Sequence, residues 1–413
     1  MAAEVVIIGG GPAGMTAALH AKAAGASVLL LEHNEKLGKK LYITGKGRCN
    51  VSNLCEREEF LLHVPRNPRF LNASLSCMSP VRLREWLSTL GCPTIVERGN
   101  RVFPASQKAS DVTKALSRSL GTHEVRLGAR VVSLLVSNQQ VLGVQLESGE
   151  EIRARAVILA TGGVSYPVTG STGMGQKMAQ AAGHTVKPLS PSLTGFDTMD
   201  EWPMRLQGLT LKNVTLHATW PGKGQYAEQG ELLFTHFGIS GPLVLSLSSY
   251  LAGRNVQEAK VSLDLKPALD IPVLNSRLSE DINRYGRKAL SSLMVEYMPA
   301  SLAAVFPQVL GLNGAKALNQ LTAKERENVL AGFKHLPIRL KSHRPFTEAV
   351  ITCGGVDVKQ VNPSSMESKL ITGLYFAGEV LDVDALTGGF NLQIAFSTGA
   401  LAGQSAAKSL HQR

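Results

Sequence analysis

The chain has 413 residues, is 44% hydrophobic and 18% charged, and carries a formal net charge of +11. That length supports a large core and two or three domains, while no apolar run approaches the roughly 18–20 residues of a membrane span. Five cysteines without a C-x-x-C pair argue against a disulfide framework or a zinc site, so a reducing cytoplasm is the expected compartment and no metal is expected.

The first element is a strand. Val5-Val6-Ile7-Ile8 is a short β-branched apolar run of the kind buried in parallel sheets. It belongs to the motif that follows and has no basic stretch before it, so a signal peptide is not expected. Gly9, Gly11 and Gly14 come next at G-x-G-x-x-G spacing, with Pro12 and Ala13 between them, and Met15 begins an Ala-rich helical stretch. A second apolar run, Val28-Leu29-Leu30-Leu31, ends in Glu32. Strand, glycines, helix, strand and acid in register predict a dinucleotide site. Gly9 permits the tight turn, Gly11 lets backbone approach a pyrophosphate, and Gly14 lets helix and strand pack closely. The helix N-terminus faces the phosphates and Glu32 accepts hydrogen bonds from a ribose. Lys39 and Lys40, just after Gly38, are candidates for the same phosphates or for a solvated surface.

Between residues 36 and 130 there are 17 Lys and Arg against 7 Asp and Glu. This imbalance points to a polyanionic partner such as nucleic acid, met by a surface including Arg66, Arg69, Arg82 and Arg84. A generally basic solvated surface is the alternative, and no RRM or KH motif accompanies the charge.

Strand-like stretches follow at 130–135, which carries the cofactor-binding candidates Val131 and Val132, and at 141–146. Ala156-Val157-Ile158-Leu159 then runs into the turn Ala160-Thr161-Gly162-Gly163, which returns the chain past the cofactor. A third element lies near residue 374, where Leu374-Tyr375-Phe376-Ala377 leads to Gly378-Glu379, with Asp382 just beyond. Glu379 can accept a hydrogen bond from a flavin ribityl chain. Gly388-Gly389-Phe390-Asn391-Leu392-Gln393 opens a helix whose N-terminal amides favour negative charge on a flavin pyrimidine. Three elements rather than one specify FAD. Without a second strand-linked glycine motif, NAD(P)H is expected to visit the flavin only transiently.

The expected fold is therefore α/β, a Rossmann-like two-dinucleotide-binding FAD domain split by an insertion. Residues 1–190 and 353–413 form the FAD domain. Short alternating runs assign 191–271 and about 336–352 to a β domain, and helical spacing assigns 272–335 to a helical subdomain. Thr322-Ala323-Lys324-Glu325 reads as a capping box.

Gly45-Lys46-Gly47-Arg48-Cys49-Asn50-Val51-Ser52-Asn53 resembles the T-G-x-G-R-C-N-x-[ST]-N signature of the BaiN/RdsA flavoproteins, the YhiN-like NAD(P)/FAD-dependent oxidoreductases. Phe234-Thr235-His236-Phe237-Gly238-Ile239-Ser240-Gly241-Pro242 is similar to their F-T-H-x-G-x-S-G-P motif. Gly354-Gly355-Val356, Met366-Glu367-Ser368-Lys369 and the run from Gly378 to Asn391 extend the likeness to the C-terminal region. The resemblance implies a split FAD domain carrying a β-barrel-like and a small helical domain. It also implies hydride movement through flavin N5. The implied reaction is reduction of a uridine in large-subunit ribosomal RNA to dihydrouridine. Reduction of a steroid double bond in bile acids and oxidation of small amines such as aminoacetone are the alternatives. The basic excess favours RNA.

Reduction of a C=C bond needs a proton donor. Cys49 is the candidate, tuned by Arg48, its alternative being a small buried side chain that packs the FAD site. Arg48 is a candidate for a phosphate or substrate carbonyl, or for a structural pairing with Glu32 or a loop carbonyl. His236 is a third catalytic candidate against a structural role. Gly47, Arg48, Cys49 and Asn50 also count among the expected cofactor contacts, and Asp382 and Asp384 read as flavin-positioning rather than metal-binding.

Overall fold

A computed structural model describes residues 3–412. The chain folds as two compact units. The first runs to Ser192 and resumes at Phe346; the second is Leu193–Pro345.

The first unit is built on a five-stranded parallel sheet. Its order is Leu374–Phe376, Ala156–Leu159, β1 (Val5–Ile8), β2 (Val28–Leu31) and Val125–Arg126. Every residue of β1 is buried, as expected for a strand covered on both faces. β1 is flanked on both sides in parallel register, Val5 facing Ala156 and Val28. From β1 the chain moves outward to β2 and later returns to the opposite flank at Ala156–Leu159. The switch point therefore lies at the carboxyl end of β1, where ligands of open α/β sheets bind. The expected helix starts three residues earlier than Met15, as α1 (Pro12–Ala23), because Pro12 sits at N1 where its missing N–H costs nothing.

The helix Phe390–Gln412 packs on α1 through small residues. A Cβ on Gly399 would lie 2.4 Å from the Ala13 carbonyl oxygen, and one on Gly403 2.2 Å from that of Ala17. Only glycine allows this approach. The strands Val131–Ser137 and Gln140–Leu146 form an antiparallel sheet with Glu151–Arg153. A second small sheet joins Ser52–Asn53 to the hairpin Thr94–Glu97 and Arg101–Pro104.

The second unit carries a seven-stranded antiparallel sheet. Its order is Leu336–Ile338, Lys260–Asp264, Thr210–Trp220, Gly224–Thr235, Gly238–Ser240, Phe196–Thr198, Leu340–His343. The two outermost strands are consecutive in sequence, separated by Arg339 alone. The sheet thus curls until its edges meet in one bent strand. Helices Ile271–Arg284, Leu290–Met294, Ala300–Val309 and Ala323–Lys334 follow the strand Lys260–Asp264. The capping box is present: Glu325 N–H donates to Thr322 Oγ1 at 3.2 Å and Thr322 N–H to Glu325 Oε2 at 2.8 Å. No helix among the described residues is long and apolar enough to cross a membrane.

Candidate active site

The glycine turn after β1 shows three distinct local constraints. Gly9 has a φ of +106°, and a Cβ there would stand 2.5 Å from the Ala160 carbonyl oxygen. The first turn and the Ala160-Thr161-Gly162 turn thus touch. A Cβ on Gly14 would meet the Gly9 carbonyl oxygen at 1.9 Å, whereas one on Gly11 would meet nothing within 4 Å. Gly14 serves packing; Gly11 borders open space. The N-terminus of α1 has no side-chain cap and no acid in its first turn, so its amides and partial positive charge remain available to an anion.

Glu32 is buried and held beside this turn. Its Oε2 accepts the Gly10 N–H at 2.7 Å, and Oε1 accepts the Asn34 N–H at 2.8 Å. The Ala129 N–H donates to the Glu32 carbonyl at 2.9 Å, which brings the segment of Val131 and Val132 alongside. Val131 is buried and Val132 half-buried.

Lys40 and Glu379, far apart in sequence, form an ion pair at 2.8 Å. Lys40 Nζ also donates to Ser165 Oγ at 2.6 Å. Glu379 Oε1 accepts from Ser165 Oγ at 3.1 Å and from the Thr352 N–H at 2.7 Å. The Thr352 hydroxyl in turn accepts the Val164 N–H at 2.8 Å. This network ties the lysine loop, the segment after Gly163 and the Gly378-Glu379 turn into one body. Gly378 N–H is itself fixed by Thr398 Oγ1 at 2.9 Å.

The turn that holds Cys49 places that residue inward. Its φ is +62°, it has no exposed surface, and burial pushes its thiol up to about 12. A thiol so placed keeps its proton and is closed off from solvent, which favours the alternative of a small buried side chain packing the site over the role of proton donor. Cys49→Ala is expected to retain bound flavin and turnover, at a stability cost on the order of 1 kcal/mol for the lost packing. Turnover assays and thermal melts check this. Arg48 pairs with Glu97, not Glu32. It also donates to Gln107 and stacks its guanidinium 4.2 Å from the centre of the Phe103 ring. Gly47, beside it, is exposed.

At the C-terminal turn, a Cβ on Gly389 would lie 2.2 Å from the Ser52 carbonyl oxygen and 2.8 Å from Asn50 Oδ1. The start of the last helix therefore rests on the Asn50–Ser52 backbone. Asn391 closes the preceding loop, donating to the Ala385 carbonyl at 2.6 Å and accepting the Ala385 N–H at 2.9 Å. Leu392 is half-buried. Gln393 has no exposed surface and is committed internally. Its Nε2 donates to the Met78 carbonyl at 2.8 Å and its Oε1 accepts from Ser52 Oγ at 2.6 Å. The Gln393 side chain, expected beside the cofactor, thus clamps the Ser52 and Met78 segments together.

Asp382 is pinned by Asn67, whose Nδ2 donates to its carbonyl at 2.7 Å, and burial pushes its carboxyl up. Asp384, 1% exposed, pairs with Arg66 at 3.1 Å. Arg66 also donates to Cys353 Sγ at 2.9 Å. This removes Arg66 from the basic surface expected of it, because the guanidinium is the counter-ion of a buried acid. Arg84 donates to Thr94 Oγ1 at 3.0 Å and is half-buried; Arg69 and Arg82 are exposed. His236 belongs to the second unit. It is exposed, at the turn between Gly224–Thr235 and Gly238–Ser240, with its ring edge-on to Phe237 at 5.1 Å.

The residues fit FAD. Among the described residues, Asn50 Oδ1 and Thr161 Oγ1 are buried in two of the converging turns without a hydrogen-bond partner, and such atoms are costly unless a ligand satisfies them. With the open space at Gly11 and two helix N-termini, they suit a phosphate and a polar ring. FAD would be held by the turns at Gly9–Gly14, Asn50, Ala160–Gly163 and Gly388-Gly389, with Glu32 at the far end. Nothing local in the sequence revealed Ser165 or Thr352, which are recruited only by the tertiary fold.

Comparison with known proteins agrees with this geometry. Residues 3–405 match the family model described as HI0933-like protein Rossmann domain. The chain is 30% identical to the 3-dehydro-bile acid delta(4,6)-reductase of Clostridium scindens, over 98% of this chain and 99% of that one. It is 29% identical to the ribosomal RNA dihydrouridine synthase of Escherichia coli, over 96% of each. The 3-ketosteroid-delta4-(5alpha)-dehydrogenase of Rhodococcus jostii RHA1 shares the fold, with a TM-score of 0.54 at 16% identity over 98% of this chain and 96% of that one. The sheet, the converging glycine turns and a family match along nearly the whole sequence give one result: the chain belongs to the HI0933-like family and is a flavin-dependent oxidoreductase that binds FAD.

Proposed function

We propose that the protein takes hydride from NAD(P)H and reduces the C=C bond of a uracil ring in large-subunit ribosomal RNA, producing dihydrouridine and NAD(P)+ with uptake of one proton. The observation that supports RNA over a small molecule is the exposed positive charge of the first unit. Lys46, Arg57, Arg69, Arg98 and Arg101 are all exposed, and none forms a salt bridge with an acid among the described residues. Full-length likeness to a ribosomal RNA dihydrouridine synthase is in keeping with this.

FAD, when bound, supplies two-electron hydride chemistry. The chain does the rest. Amides at the start of α1 neutralise the pyrophosphate, the Lys40–Glu379–Ser165 network fixes the turn meeting the ribityl region, and the last helix presents its N-terminus to the pyrimidine. His236 is our candidate proton donor, an exposed imidazole at a turn rather than a side chain packed into a core. His236→Ala is expected to slow substrate reduction by 10²-fold or more, the usual scale of general acid catalysis, which runs from about 10² to 10⁴, with flavin reduction by NAD(P)H unchanged.

The test compares modified nucleosides in ribosomal RNA from wild-type and deletion cells. One dihydrouridine is expected to vanish and to return with the wild-type gene. An unchanged level overturns the RNA substrate. Likeness to the bile-acid reductase favours a second reading, a reductase of an enone in a steroid. Flavin reoxidation by a conjugated steroid ketone, but not by RNA, would select it.

A further inference from the structure

We propose that the hairpin at 94–104, together with the turn at 45–48, is an arm that grips the phosphate backbone of a folded RNA next to the cofactor turn. The inference rests on the RNA reading above and assigns it a surface different from the one expected from sequence.

The arm is rigid. Arg48 crosses from the turn to pair with Glu97, and Gln107 Nε2 donates to the same carboxylate at 3.2 Å. Phe103 lies beneath two guanidinium groups, those of Arg48 at 4.2 Å and Arg101 at 5.9 Å. Glu97 is the sole acid of the hairpin, and Arg48 occupies it. Lys46, Arg98 and Arg101 are exposed and form no salt bridge with an acid among the described residues.

The backbone displays these charges at some conformational cost. Gly45, Lys46 and Gly47 have φ values of +56°, +57° and +85°. Left-handed backbone at a lysine persists only where the surroundings enforce it, and Lys46 is exposed. Ile43, Ile95 and Val96 are 46%, 40% and 41% exposed, giving apolar surface among the cations. Cations beside apolar surface suit nucleic acid, where phosphates and base or ribose faces alternate.

The arm is also tied to the cofactor turn. Asn53 Nδ2 donates to the Gly99 carbonyl at the hairpin tip and to the Gly388 carbonyl, both at 3.1 Å. The Leu54 N–H donates to the Asn100 carbonyl at 2.7 Å. A backbone held by Arg98 and Arg101 would therefore lie beside the start of the last helix.

The experiment uses the full-length FAD-loaded protein and an unmodified transcript of large-subunit ribosomal RNA. Binding is followed by fluorescence anisotropy between about 50 and 300 mM salt. The variant Lys46→Glu/Arg98→Glu/Arg101→Glu is expected to bind at least tenfold more weakly. Its slope of log K against log salt should be shallower by about 2–3, roughly one unit per lost phosphate contact. A charge-matched comparator, Arg57→Glu/Arg69→Glu/Arg82→Glu, should lose less. The flavin spectrum and NAD(P)H oxidation with ferricyanide report that the fold is intact, and the neutral triple Gln variant replaces the Glu one if the latter does not fold. Equal affinity and slope in arm variant and wild type overturn the arm, as does an equal loss in the comparator. Dihydrouridine analysis of deletion cells is independent of both, so it separates failure of the arm from failure of the proposed reaction. Loss of a bound protein rather than of RNA would make the arm a protein-docking surface and also overturn the proposal.

Discussion

Gly11→Val is expected to give a folded but colourless protein, and Gly14→Val an unstable one. The two glycines are three residues apart in one motif, yet their surroundings differ. The Gly11 backbone is extended, with φ of −78° and ψ of −175°, so valine is tolerated there. Its Cβ would meet nothing within 4 Å and would occupy the space through which a pyrophosphate approaches. Affinity for FAD should fall at least a hundredfold, about 3 kcal/mol. At Gly14 the added carbon would stand 1.9 Å from a backbone oxygen. Neither strand nor helix can yield without disturbing the sheet, and overpacking of this severity costs about 3 kcal/mol or more. Melting curves with and without FAD separate the effects. Gly11→Val should lose only the FAD-dependent rise in Tm, whereas Gly14→Val should start lower in its absence. Wild-type flavin content in Gly11→Val would mean that the pyrophosphate does not pass that turn.

Arg66→Met is expected to destabilise the protein by about 3–5 kcal/mol, the usual cost of stranding one partner of a buried ion pair. Asp384 is 1% exposed and its pairing with Arg66 is 3.1 Å long. Methionine fills much of the same volume but cannot answer the carboxylate. Arg66→Met/Asp384→Leu should recover most of the loss, because an apolar pair has no charge to desolvate. Arg69→Met, three residues on and exposed, serves as the neutral comparison. Denaturant unfolding curves measure all three. Wild-type stability in Arg66→Met would show that the pair contributes nothing.

What could be read from the sequence was what short segments decide among themselves. The motif from Val5 to Glu32 is one continuous supersecondary unit, so its spacing alone identified strand, turn and helix. Thr322 and Glu325 cap a helix through hydrogen bonds within four residues, and their pattern was equally plain. The return strands Ala156–Leu159 and Leu374–Phe376 were legible because burial on both faces forces apolar runs. Partner choice was not legible. Lys40 with Glu379, Arg66 with Asp384 and Arg48 with Glu97 are matched by topology, and no local rule distinguishes Arg66 from Arg69. Cys49 is buried on a backbone of positive φ, and composition reveals neither. Gln393 looked like a ligand contact because it opens a helix at the site, but its face of that helix points to Met78 and Ser52. The strand Val125–Arg126 is too short to give any periodicity.

The contact of Gly399 and Gly403 with α1 has a consequence for biosynthesis. A nascent chain presents α1 first and its packing partner nearly four hundred residues later, so the Rossmann core stays incomplete through most of translation. The unit Leu193–Pro345 is contiguous and can acquire its structure while the ribosome is still at work. The N-terminal segment, with the buried face of α1 uncovered, presents apolar surface in that interval, the condition in which incomplete chains are prone to aggregate.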